Sequence, residues 1–151
     1  MKETPQEKKI HENMKVGVLS VNGFLGDDER HFHEIIAEDK AALKKLNISC
    51  SQIADKLQQI TDKAFNSYQD SILLDDKYLV SYRSVRGKTI CPFAHPGEYY
   101  KGEITLKNLE NGRVLVWTPL NIHMIKEHCF FEGEGSKHRL DPLVIKKTLF
   151  S

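Results

Sequence analysis

Apolar residues recur at helical spacing through the first half of the chain and alternate with polar ones through much of the second, so the pattern predicts helices followed by a sheet. Over residues 27–46, Phe32, Ile35, Ile36, Leu43 and Leu46 form one stripe. Acidic residues open that stretch and Lys44 and Lys45 close it, the charge order that suits a helix dipole. Asn47 breaks the helix, and Ser49-x-x-Gln52 has the form of a capping box starting a second one. Ile53, Leu57, Ile60, Ala64, Phe65 and Tyr68 continue it, predicting a helical hairpin over 27–69. The words around Cys50 resemble the first helix of a helix-turn-helix, but residues 58–63 carry the helix straight on, without the turn a recognition helix requires. Upstream, residues 16–21 read as a short strand ended by Asn22-Gly23, with Phe24 and Leu25 entering the core.

From Ser71 the period changes. Residues 72–74 and 78–83 read as strands about an Asp75-Asp76-Lys77 turn. Residues 99–107 alternate, with Tyr100, Ile104 and Leu106 on one face and Lys101, Glu103, Thr105 and Lys107 on the other. Asn111-Gly112 predicts a hairpin returning through 113–117. Thr118-Pro119 then supplies an N-cap and a proline at the first helical position, starting a helix over 120–129. Gly133 and Gly135 predict a mobile polar loop, and Asp141-Pro142 caps a last helix over 143–149. The expected fold is α+β: an N-terminal helical hairpin packed on an antiparallel sheet, with a β-hairpin–helix unit in the C-terminal half. Residues 1–13, charged and polar, are expected to be a flexible tail on a single domain over 14–151, helical through 27–69 and sheet-based through 71–151.

Composition narrows the function classes. With 151 residues the chain has the length of one domain. Lys plus Arg (22) nearly cancels Asp plus Glu (21), so no global field draws it to nucleic acid or anionic membranes. Nucleic-acid binding would need a local patch; oligomer formation is left open. The apolar runs are too short to span a bilayer, and the N-terminus lacks the apolar core of a signal peptide. Three cysteines at irregular spacing make a poor disulfide framework and suit reduced thiols in a cytoplasm.

The candidate chemistry lies in residues 89–132. Cys91-x₃-His95 and His123-x₄-His128 fall within the spacing windows of zinc-ligand pairs, and the prolines beside Cys91 and His95 favour a tight turn that aims both side chains at one point. Cys91, His95, His123 and His128 are the expected metal ligands, with zinc as the ion. The order of turn, β-hairpin and helix over 90–128 resembles the treble-clef class of zinc modules, which implies a first ligand pair on the turn and a second at the start of the helix. This chain departs from that pattern in carrying three imidazoles and one thiolate. The spacing of His123 and His128 sets them about 140° apart on a regular helix, so both reach one ion only where the helix distorts or frays. A rival pair, His123 with Glu127, shares a helical face. More broadly, the "CPF", "WTPLNIHMI" and "FFEGEGS" runs resemble small conserved bacterial proteins, a likeness that implies no activity and no catalytic residues.

A second candidate is the loop carrying Ser136, Lys137, His138 and Arg139, whose glycines and cations suit an anion. Arg83, Arg86 and Lys88 would extend that basic patch if the sheet brings them near, with Tyr82, Tyr99 and Tyr100 as stacking surfaces. Two functions follow as expectations. One is a small cytoplasmic binding or interaction protein with a structural zinc site. The alternative is a metal-dependent hydrolase or nuclease of the ββα-metal kind, with His95 as general base and His123 with His128 or Glu127 holding the ion.

Overall fold

The structure, a computed structural model, describes residues 4–15, 19, 23–93 and 96–150. The strand expected over 16–21 lies, apart from Leu19, outside the described residues, and so does His95. Among the described residues nine elements follow in order: α1 (Pro5–Asn13), α2 (Phe32–Leu46), α3 (Cys50–Asn66), β1 (Ser71–Leu74), β2 (Tyr78–Thr89), β3 (Tyr99–Asn108), β4 (Val114–Trp117), α4 (Pro119–His128) and α5 (Pro142–Leu149). The strands make one antiparallel sheet in the order β1-β2-β3-β4. The fold is α+β, with helices before the sheet and a β-hairpin running into a helix after it.

The local signals act as their chemistry dictates. Ser49 and Gln52 close a capping box on α3, and Thr118 with Asn121 closes another on α4, each pair satisfying helix-end amides that would otherwise lack partners. Asp141 caps α5 through the amides of Leu143 and Val144. Asp75 and Asp76 both take positive φ, the conformation of a tight hairpin turn.

Four expectations are corrected. The presumed tail is mostly helix α1: Thr4 caps it through the amide of Glu7, Pro5 sits in its first turn, and Ile10 and Met14 are buried against α2. Helix α2 begins at Phe32 instead of Asp27, because Asp28 turns aside to accept from the backbone amide and guanidinium of Arg30. Tyr100 is 67% exposed, since the buried face of β3 starts only at Gly102. The loop after α4 is packed, not mobile: the Gly133 amide donates to the Phe24 carbonyl at 2.9 Å, and a Cβ on Gly133 would stand 2.2 Å from the Leu25 carbonyl oxygen. No side chain fits there, so glycine at 133 is a packing requirement.

Two apolar clusters fill the interior. The larger lies between the sheet and α3, α4 and α5, centred on Trp117, whose indole Nε1 donates to Thr61 Oγ1 at 2.9 Å. Without that acceptor a buried indole would leave its N–H unsatisfied. The smaller joins α1, Phe24, Leu25 and α2 to Cys91, Leu120, Met124 and Phe130. Helix α4 contributes to both, and each of the two candidate sites is built against one of its ends. A disulfide joins Cys50, at the start of α3, to Cys129, just past α4, with Cα atoms 5.7 Å apart. That corrects the expectation of three reduced thiols; a pair 79 residues apart leaves no spacing signal, and only the packing of α3 on α4 brings the two together. Among the described residues no helix is long and apolar enough to cross a membrane.

Candidate metal centre

Cys91 lies two residues past the end of β2 and is 1% exposed, in the smaller cluster. The turn that carries it is held from outside: Asn13, at the end of α1, donates through Nδ2 to the Pro92 carbonyl at 3.2 Å. Phe93, two residues on, stacks on the His128 ring with centroids 4.0 Å apart and planes 9° apart, and meets Phe32 and Phe130 edge-on. One turn thus delivers the thiol and an aromatic wall that fixes a neighbouring imidazole.

His123 and His128 come from α4, both half-buried. The helix stops at His128 because Cys129 enters the left-handed region at φ 51°, with its amide donating to Ile125 and the Phe130 amide to Met124. Placing His128 on the last turn resolves the spacing difficulty. The two rings stand 5.6 Å apart, nearly perpendicular, although a regular helix would part them by about 140°.

The result is a compact donor set. One ligand atom from each of Cys91, His123 and His128 lies within 4.8 Å of the others, and Cys91 Sγ is 3.6 Å from His128 Nε2. Two ligands on a tetrahedral zinc with usual bond lengths stand about 3.5 Å apart, so this edge already has the length coordination requires. Tyr99 Oη lies 2.8 Å from His123 Nδ1. When Nδ1 carries the proton it donates to the phenol oxygen, and Nε2 is left as the ring's coordinating nitrogen. Burial pushes the Tyr99 phenol up, and the negative charges of Cys91 and Glu127 push it further, which keeps the hydroxyl protonated. These three residues could hold a metal ion. Glu127, the rival partner of His123, is exposed and outside the set, and His95 lies outside the described residues.

The second candidate loop divides. Arg139 turns inward, with Nη1 and Nη2 donating to Asp39 at 2.5 and 2.8 Å and Nη1 also donating to the Glu132 carbonyl at 2.8 Å. Ser136 is buried and its hydroxyl donates to Glu132 Oε1 at 2.5 Å. These two are structural parts, not anion ligands. Lys137 and His138 face Glu103 on β3, at 3.5 and 3.0 Å, and Arg83 on β2 reaches the same carboxylate at 3.0 Å. The sheet therefore does bring Arg83 beside the loop. Lys88 pairs with Glu98 and lies over the Tyr100 ring, and Tyr82 packs edge-on against Phe65.

Sequence patterns did not single out Tyr99, Asn13 and Phe93 as supports of the metal set, nor Glu132, which is 3% exposed. Glu132 takes a positive φ of 68°, a conformation more natural to glycine, and its other carboxylate oxygen accepts from Asn121 Nδ2 at 2.6 Å. Desolvation pushes its pKa up to about 7 against the lowering effects of Ser136, Asn121 and Arg139. A usable signal existed in Gly133 and Gly135, which follow it and mark a close backbone approach. Compared with protein-family models, curated proteins and solved structures, the chain matches none.

Proposed function

We propose that the chain is a metal-bearing binding protein that holds one zinc ion through Cys91, His123 and His128, with His95 as the fourth ligand. The observation that carries this reading is the convergence of a buried sulfur and two imidazole nitrogens, drawn from segments more than thirty residues apart in sequence, to within 4.8 Å of one another. A thiolate with two imidazoles is a borderline-soft donor set, which suits zinc better than a hard cation such as magnesium. The ion ties the turn after β2 to the last turns of α4, so its work is structural: it clamps the smaller core cluster, to which Cys91, Leu120 and Met124 belong.

Protein purified without an affinity tag or added metal is expected to carry about one zinc per chain by elemental analysis, as a closed structural site does. Cys91→Ser and His128→Ala are expected to lose it. Wild-type protein free of zinc, or variants that keep it, would overturn the reading.

A second reading, a metal-dependent hydrolase or nuclease, is favoured by one observation: both imidazoles are half-buried instead of sealed, which suits a coordination position open to water. On that reading His95 takes a proton from the attacking water, and His123 with His128 holds the ion. A zinc that exchanges within minutes against a chelator, with the fold intact, would support it; an ion released only on unfolding would support the structural site.

A further inference from the structure

At the opposite end of α4 from His128 lies a cavity of about 280 Å³, bounded by β2, β3, the Phe24 segment and the loop after α4. Its walls are apolar where Phe24, Val85 and Leu120 line it, and its floor includes the buried carboxyl of Glu132. Its mouth is cationic. The side chains of Arg83 and Lys137 are 69% and 54% exposed there, and Lys101 lines the same opening.

One carboxylate answers these cations. Glu103 receives Arg83, Lys137 and His138 together, and its carboxyl is held below the usual range first by the His138 contact and then by the charges of His138, Lys137 and Arg83. A single negative charge cannot neutralise Arg83, Lys137 and Lys101, so the mouth keeps a positive excess in a chain whose net charge is only +1. The N-terminal end of α4 adds to it: Thr118, the cap, lines the cavity, and the positive end of the helix dipole lies there.

We propose that this cavity binds a small organic anion, a phosphate monoester or a carboxylate with an apolar body, its head at Arg83 and Lys137 and its body against Phe24, Val85 and Leu120. The head stays at the mouth because the exposed cations stand there, whereas the buried Glu132 carboxyl lines the floor. Size agrees, since a cavity of this volume sits near the lower bound of small-molecule sites. Glu103 pairs with the cations an anion needs, so it acts as an internal competitor. This inference deepens the reading of the chain as a binding protein and does not involve the ion.

The test is titration of the full, zinc-loaded or zinc-free chain with phenyl phosphate and with benzoate, followed by calorimetry and by amide shifts of Val85 and Gly102. Saturable binding of either one supports the site, and the tighter of the two identifies the head group. Glu103→Gln is expected to tighten binding about tenfold and Arg83→Ala to weaken it about tenfold, the size of one charge-assisted contact. Backbone amide spectra check that both variants fold. No saturable binding, benzyl alcohol binding as well as phenyl phosphate, inorganic phosphate binding as tightly as the ester, or Glu103→Gln weakening the complex would each overturn the proposal. None of these outcomes depends on metal content, so failure here and failure of the zinc site are separately visible.

Discussion

The two ends of α4 solve opposite electrostatic problems. Its C-terminal end, where the unpaired carbonyls of a helix carry partial negative charge, presents His128 beside Cys91 and His123, a set suited to a cation. Its N-terminal end, capped by Thr118, opens on Arg83, Lys101 and Lys137, a set suited to an anion. The first site uses few residues from two segments; the second draws one or two residues from each of several. The difference teaches that a site is legible in sequence when its chemistry is concentrated in rare residue types at local spacing. It is not legible when common charged residues are gathered by the sheet.

The largest expected effect separates the two cations that stand two residues apart in the loop. Arg139→Ala removes the bidentate partner of a buried Asp39 and leaves that carboxylate uncompensated, a loss of about 3–5 kcal/mol of folding stability by denaturant titration. Lys137→Ala, at an exposed ion pair, changes stability by less than about 1 kcal/mol. Equal effects would show that the loop is not divided into an inward and an outward part.

Next in size is the acidic floor of the cavity. The folded pKa of Glu132, about 7, lies above its ordinary value of 4.5, so the folded protein binds this proton more tightly than the unfolded chain. The associated stability is fully present below pH 4.5 and is lost as pH rises through about 7. The loss is on the order of 3 kcal/mol. Unfolding free energies measured across that window should fall with rising pH, and Glu132→Gln should flatten this part of the profile. A wild-type profile that rises across the same window after the variant is subtracted would contradict the assignment.

The smallest effect tests the other end. Tyr99→Phe keeps the ring against His123 but removes the oxygen 2.8 Å from Nδ1. Zinc affinity should fall about tenfold in a competition titration with a chromophoric chelator, at the low end for loss of a group that orients a metal-bound histidine. Unchanged affinity would show that the phenol only packs.

Much of the framework was legible because it is local. Ser49 with Gln52, Thr118 with Pro119, Asp141 with Pro142 and the Asp75-Asp76 turn each act within a few residues, and each forms as its chemistry requires. Helix α1 carries the same Thr-Pro signal at Thr4-Pro5 but was hidden by its polar composition, since only Ile10 and Met14 supply apolar contact from its face. The Cys50–Cys129 disulfide and the Asp39–Arg139 pair span 79 and 100 residues, and no periodicity encodes such a meeting. Cys91, His123 and His128 were legible as ligand types, whereas their convergence depended on where α4 ends, which the left-handed Cys129 decides. Glu132 escaped because a glutamate between phenylalanine and glycine reads as a solvated loop residue until the next residue, Gly133, is seen bonded to the Phe24 carbonyl and the Glu132 side chain to Asn121 and Ser136.

In the proposed metal centre one ion joins the turn after β2 to α4 through a sulfur and imidazole nitrogens. X-ray absorption at the zinc edge, on untagged protein, reads this directly. One sulfur at about 2.3 Å together with nitrogens at about 2.0–2.1 Å is expected, with loss of the sulfur shell in Cys91→Ser. A zinc shell of oxygen and nitrogen alone in the wild-type protein would contradict it.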